Sequence, residues 1–402
     1  MQSLADTLIA KYLFLQSLPT EVVYAGLQVL VGIVVLSAFV APFAGITSWV
    51  ERRIAARIMD RVGPNRVGPQ GFLQWLADGI KSILKEDLIP TLADQPLFRM
   101  APYFVFAGMF AAFVAIPFSS ALIVADLNVG IFYILAITSL VVVGILMSGW
   151  ASNNKYSLLG GMRAAAQIVS YEIPSGLGIL TIVLLAGSLS MQEIIKAQGA
   201  SPVHWFLFNN PFAMVAFFVL FVSSLAEGNR TPFDIPEAES ELVSGYNTEY
   251  SGMRFLFFFF AEWANLYIIA AVGVTLFMGG WQIPAVLRAW AMGINPLLPH
   301  LFEFLTFFIK ALGIVFVIIW IRWTLPRVRV DQLMTLCWKY LTPIGFICVL
   351  GTAVWMVLFP QGLPWVTYLL LTFVGVTILY FFYRVYYQTR FADVALDFNP
   401  FV

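Results

Sequence analysis

Long apolar runs decide what this chain can fold into. A helix needs about 20 mostly apolar residues to cross the hydrocarbon core of a bilayer. Nine runs come near or above that length, at 22–43, 98–118, 130–147, 164–187, 211–226, 255–278, 301–321, 341–358 and 364–383. The fifth is the shortest, and its start is the least well marked. Composition agrees, with 60% of the 402 residues hydrophobic, 11% charged and a mean hydropathy of +0.87. A soluble domain carries about a quarter charged residues. The expectation is an all-α polytopic membrane protein with about nine transmembrane helices.

Several chemistries are excluded early. Residues 1–21 mix Asp6, Lys11 and Glu21 with apolar residues. They lack a basic start followed by a small-residue cleavage site, so no cleavable signal is expected. Cys337 and Cys348 are too few for an iron–sulfur cluster, which usually takes four ligands, and read as two ordinary membrane thiols. His204 and His300 fall in expected loops with no nucleophile nearby and are assigned no chemistry. Any electron used here has to come from a partner.

Alternate loops lie on alternate sides of a membrane, so counting Lys and Arg tests the orientation. Eighteen of the 22 basic residues fall on one side and three (Lys11, Lys196, Arg288) on the other, with Lys310 inside the seventh run. This bias puts the N-terminus outside and the C-terminus in the cytoplasm. It also supports nine spans, since one more or fewer would scramble the asymmetry.

The unusual sequence sits on the cytoplasmic side. After the first run comes Glu51-Arg52-Arg53, then Arg61 and GPNRVGP at 63–69, which contains Arg66. Two Gly-Pro pairs five residues apart make a stiff, irregular loop, because proline fixes φ and glycine permits positive φ. Residues 72–85 read as a helix lying in the membrane interface. Phe72, Leu73, Trp75, Leu76, Ile80, Ile83 and Leu84 form one face, and Gln74, Asp78, Lys81 and Lys85 the other. Such a helix can prop open an access between lipid and protein, or simply pack on the bundle.

Residues 227–250 hold Glu227, Asp234, Glu237, Glu239, Glu241 and Glu249 against Arg230 alone. Crowded carboxylates raise some pKa values toward neutrality, as a proton carrier requires. A helical Glu237–Glu241 pair would repel by a few tenths of a kcal/mol if both ionise. The blander reading is a solvated acidic loop. Glu172, Glu262 and Glu303 fall inside or at the start of spans, with Lys310 seven residues after Glu303. An ionisable group in a span costs about 2.5–3.5 kcal/mol on insertion scales and suggests function. Glu303 and Lys310 can pair or snorkel. Glu172 and Glu262 have no local partner, which favours proton relay.

Two segments carry a resemblance: GFLQWLADGIKSILK at 71–85 and PFDIPEAESELVSGYNTEY at 232–250. With Glu51-Arg52-Arg53, GPNRVGP and Ser170-Tyr171-Glu172, they resemble the family of the H-type, or chain-1, membrane subunit of respiratory complex I, in matching order over about 22–358. That family usually has eight spans. The resemblance implies one membrane domain over 1–358, with loops 51–97 and 227–250 facing the cytoplasm. Residues 359–402 then form an extra transmembrane helix and tail.

The resemblance also implies a role. The family forms the heel of the membrane arm of a proton-pumping NADH:quinone oxidoreductase, in a bacterial inner membrane here. Quinone is the substrate, and its tail enters from the bilayer. FMN and the iron–sulfur clusters are held by partners, and no cofactor by this chain. The implied partners are the peripheral-arm quinone-site and terminal-cluster subunits, the small membrane subunits, the antiporter-like subunits and the lipid bilayer, with no nucleic acid. Chamber residues would be Glu51, Arg52, Arg61, Arg66, Phe233 and Asp234, with Trp75 and Asp78 bordering the opening. The proton relay would run through Tyr171, Glu172, Glu227, Glu237, Glu239, Glu241 and Glu262, with Asp234 at its chamber end. One rival is the membrane subunit of an energy-converting hydrogenase, but GPNRVGP and the intact VSGYNTE at 243–249 favour complex I. Another is a stand-alone proton-coupled transporter, which the lack of paired broken helices in corresponding halves disfavours.

Overall fold

A computed structural model describes residues 19–295, 297–360 and 362–396; residues 1–18, on which the expected absence of a signal mainly rests, lie outside the described residues. So do a few side chains within these limits, Glu239 among them. Regular structure among the described residues is entirely helical.

The first membrane segment joins α1 (Thr20–Val35), one π-helical turn (Leu36–Val40) and α2 (Ala41–Ile58). It outruns the expected end at 43. Pro42 falls in the first turn after the π-helical stretch, and the Glu, Arg, Ile and Ala of 51–58 sustain helix. Glu51-Arg52-Arg53 is therefore on a helix and not in the loop after it. Then come α3 (Gln74–Leu84), α4 (Gln95–Ala112), α5 (Gly130–Ala151), α6 (Lys155–Ala186) and α7 (Pro211–Glu227). The rest are α8 (Gly252–Phe277), α9 (Ala285–Ile294), α10 (Leu298–Thr324), α11 (Thr342–Leu358) and α12 (Pro364–Leu396).

Among the described residues, eight helices are long and apolar enough to cross a membrane. The fifth of the nine expected runs is α7, whose 17 residues put it at the lower limit of spanning length. It starts sharply, with Pro211 in the first turn and the Asn210 side chain accepting from Ala213 N at 2.5 Å. The next-to-last span starts earlier than expected, because the turn Val330–Thr335 and a π-helical turn, Leu336–Leu341, run straight into α11.

Neighbouring helices pack in sequence, α4 on α5, α5 on α6 and α6 on α7, with α11 closing on α6 and α7. Helix α8 packs on α2, α4 and α10. Its spanning window is 72% buried, the highest of the eight, so a polar residue on α8 faces protein rather than lipid. The loops 59–94 and 228–251 lie at one end of this bundle, and α9 lies at the other.

Helix α3 docks on α2 and α8. A Cβ on Gly45 of α2 would lie 2.4 Å from Trp75 Cε3, so the indole rests on a bare stretch of α2 backbone. Arg52 also pairs with Asp78 at 2.6 Å. The apolar side of α3 points outward, with Ile80, Ile83 and Leu84 exposed, as in a helix half-sunk in lipid. Helix α12 touches 202–209 near its start and Trp320 through Phe381, and is otherwise largely exposed.

Candidate functional site

The site forms where the acidic loop folds back between α2, α6, α8 and α10. Gln167 of α6 holds the start of that loop, donating from Nε2 to the carbonyls of Phe233 (2.7 Å) and Ala226 (2.8 Å). Further on, Gly245 lies at φ +56, and a Cβ there would sit 1.8 Å from Pro236 O. Only glycine fits, in space and in backbone angle. Gly160 of α6 lets this turn come within van der Waals contact of the helix.

At the centre is Arg230, 2% exposed. Its guanidinium lies 3.3 Å from Glu262 Oε1 and 3.6 Å from Glu51 Oε2, and 4.5 Å from the centre of the Trp263 ring. Arg322 of α10 reaches the other oxygen of Glu51 at 2.9 Å. Asp234 pairs with Arg327 at 3.2 Å. Charges this deep persist only when paired, and here two arginines serve two carboxylates. Glu262 thus has the partner that its own helix does not supply.

Two cavities meet at this cluster. The larger, about 330 Å³, is lined by Ser48, Glu51 and Arg52 of α2, by Glu237 and Asn247 of the loop, and by Glu262 and Arg322. That volume falls within the range of small-molecule sites. The narrower one has about 50 Å³ of water-sized space and is lined by Glu172, Glu227, Tyr246, Glu262 and Asn265 among apolar residues. A single water needs about 10–15 Å³ so measured, so it holds a few. Glu262 lines both cavities. Tyr246 is a second link, since it lines the narrow cavity and its hydroxyl acts on Glu237, which lines the wide one.

Electrostatics in the loop follow from burial. Burial raises Glu237, and the nearby Glu262 and Asp234 carboxylates add to it, to a pKa of about 8; Asn247 donates to its Oε1 at 2.8 Å. Asp234 is raised too, by burial and then by Glu262, against the pull of Arg327, Arg322 and Arg230. Asp78 behaves oppositely. Burial pushes it up, but hydrogen bonds from Arg52 and Gln74 outweigh that and hold it below the usual carboxylate value.

The expected residues therefore separate. Glu51, Arg52, Glu237 and Glu262 share the wide cavity, and Glu172, Glu227 and Glu262 the narrow one. Tyr171 and Phe233 are buried beside them, ring centres 6.0 Å apart, with the tyrosine hydroxyl donating to Leu333 O at 2.9 Å. Trp75 and Asp78 lie on α3, the indole against Gly45 and the carboxylate paired with Arg52, and line neither cavity. Arg61 and Arg66 are exposed on the 59–73 loop, away from the cluster. Glu241 is exposed and pairs with Arg163 at 2.5 Å. It does not stack on Glu237, because Ala238 is non-helical and the helical turn begins only at Glu239. The Glu239 side chain lies outside the described residues.

Glu303 and Lys310 do not pair with each other. Glu303 is fully buried and held by Arg288, Ser120 and His300, at the opposite end of the bundle. Lys310 donates to the carbonyls of Met278 (2.8 Å) and Gly280 (3.0 Å), capping the end of α8. Arg230, Arg322, Arg327 and Tyr246 do not stand out in the sequence. The three arginines read there as topology signals, and their carboxylate partners lie far off along the chain.

The family described as NADH dehydrogenase matches residues 30–353. A protein of Anaeromyxobacter dehalogenans, named as the H subunit of NADH-quinone oxidoreductase, is 56% identical over 333 residues, covering 81% of each chain. Proteins of the same name from Chlorobaculum tepidum and Phocaeicola vulgatus are 48% and 46% identical, covering 81% and 82% of this chain and 93% and 91% of their own. The chain belongs to the H-subunit family of NADH-quinone oxidoreductase, as a multi-pass membrane component of that complex.

Proposed function

We propose that this subunit walls the membrane side of a quinone chamber and carries the first carboxylates of the proton route leaving it. Glu262 lining both cavities is the observation that supports this most. In this reading the wide cavity, lined by Glu51 and Arg52, belongs to the chamber, and Phe233 and Asp234 of the adjoining loop complete its wall. Trp75 and Asp78 border its opening to the bilayer, and Arg61 and Arg66 face the peripheral-arm subunit that completes it. The isoprenoid tail passes between α3 and the bundle. Electrons arrive from flavin and iron–sulfur clusters in partner subunits.

Reduction of a quinone to the quinol takes two electrons and two protons. Glu237 and Asp234, both held toward the protonated state by burial, are suited to exchange protons at that edge. Their charge state alters the field at Glu262, which pairs with Arg230. Glu262, Glu227 and Glu172, with Tyr171 beside them, then pass protons along the narrow cavity toward the antiporter-like subunits. Moving one charge against 100 mV costs about 2.3 kcal/mol, so quinone chemistry has to drive this path. Glu239 and Glu241, on the same acidic loop, belong to this relay as well. The charge bias favours an N-terminus outside and the loops 51–97 and 227–250 in the cytoplasm. Residues 1–358 form the functional domain, and 359–402 an added helix.

The test is photolabelling of the intact complex with a quinone analogue carrying a reactive group on its ring. Label is expected on residues 48–52 and 233–247, competed away by excess quinone. Competed label confined to partner subunits would overturn the assignment of these residues to the chamber.

A further inference from the structure

Helix α9 connects the end of α8 to the start of α10, at the end of the bundle away from the proposed chamber. Its ten residues are about 15 Å long, half a bilayer core, so it cannot cross. Its polarity is inside out for a helix in water. Arg288 points inward, to the buried Glu303 and over the Trp281 ring at 5.7 Å, and Ala291, one turn on, is fully buried. Val286, Trp290 and Ile294, at i, i+4 and i+8, point outward and are 83%, 57% and 62% exposed, and Leu297, just before α10, is 73% exposed. A stripe this apolar on the outward side of a helix marks a contact with something other than water.

We infer that α9 lies in the plane of the membrane, with this stripe sunk in the lipid of the leaflet opposite the one that α3 borders. Continuity identifies the occupant. Leu301, Leu305 and Ile309 on the exposed side of the spanning helix α10 carry the same apolar character, and Trp290 sets its ring against Phe302 of α10 at 6.3 Å. Trp290 has the chemistry favoured at a lipid–water boundary. The depth is fixed from inside the protein. Glu303 accepts from Ser120 N at 2.9 Å and Ser120 Oγ at 2.6 Å as well as from Arg288, tying α9 to α10 and to the loop after α4. The chain thus carries an interfacial helix at each end of its bundle, each held by an arginine–carboxylate pair: Arg52–Asp78 for α3 and Arg288–Glu303 for α9.

The test uses the assembled complex in its native membrane vesicles, open to both sides. It is photolabelled separately with a membrane-confined diazirine and a water-soluble one, and digested for mass spectrometry. The expected result is membrane-confined label on 286–297 at the level found on 301–309, with loss of the water-soluble label. Water-soluble label on 286–297 would overturn the inference by showing a hydrated helix. Protection from both reagents would overturn it by showing that a partner subunit covers the stripe.

Discussion

Arg230 is the residue on which the charge balance of the interior turns. Glu51 and Glu262 face the same cavity, and a buried carboxylate left without a cation is costly. Arg230→Met keeps the length of the side chain and removes the charge. It should destabilise the subunit by about 3–5 kcal/mol, the cost of breaking a buried ion pair from one side. Thermal dissociation of the purified complex, followed by native electrophoresis, would read this as an earlier transition. Glu237 gives a pH signature. Its pKa of about 8, against an ordinary 4.5, means the folded chain holds a proton that the unfolded chain releases from about pH 4.5 upward. The folded state therefore loses stability from this group as pH rises from about 4.5 to 8, with no further change above. If Glu237 exchanges protons with the chamber, quinone reduction should show an inflection near pH 8, which Glu237→Gln removes. A pH–rate profile unchanged in that variant would count against the assignment.

At the scale of elements, the helices are legible in the sequence because lipid imposes a simple rule of length and apolarity, and all nine runs correspond to helices. Their ends are less legible. The first span continues past residue 43 because residues 51–58 favour helix while being charged, and a hydropathy pattern stops where charge begins. The acidic loop is legible as a cluster of carboxylates but not as two populations. Glu237 turns inward onto Asn247 while Glu241 turns outward onto Arg163, and the break at Ala238 that separates them has no strong sequence signal. Helix α3 is legible as amphipathic from its pattern alone, and its docking rests on Gly45. Gly45→Val would drive a side chain into Trp75, with the first atom already 2.4 Å from the ring. Over-packing of this kind costs about 1–3 kcal/mol. The expected outcome is an assembled complex with a raised KM for quinone and faster hydrogen exchange over 74–84. A normal KM with α3 displaced would separate this helix from quinone access.

For the whole molecule, the family match ends at residue 353 and α12 begins at Pro364. Helix α12 contacts the rest mainly through 202–209 and Trp320. Truncation after Leu358 should therefore leave residues 1–358 able to assemble and reduce quinone. Native electrophoresis with an in-gel NADH activity stain would check this. In the coupling proposed above, quinone chemistry in the wide cavity drives protons along the narrow one. Glu227 tests it most directly, because it lines only the narrow cavity and belongs to none of the ion pairs there. The measurement is proton uptake and NADH oxidation, recorded together in sealed vesicles carrying the Glu227→Gln complex. Pumping should be lost while the assembled complex still binds quinone. Pumping and turnover equal to those of the unaltered complex would contradict it.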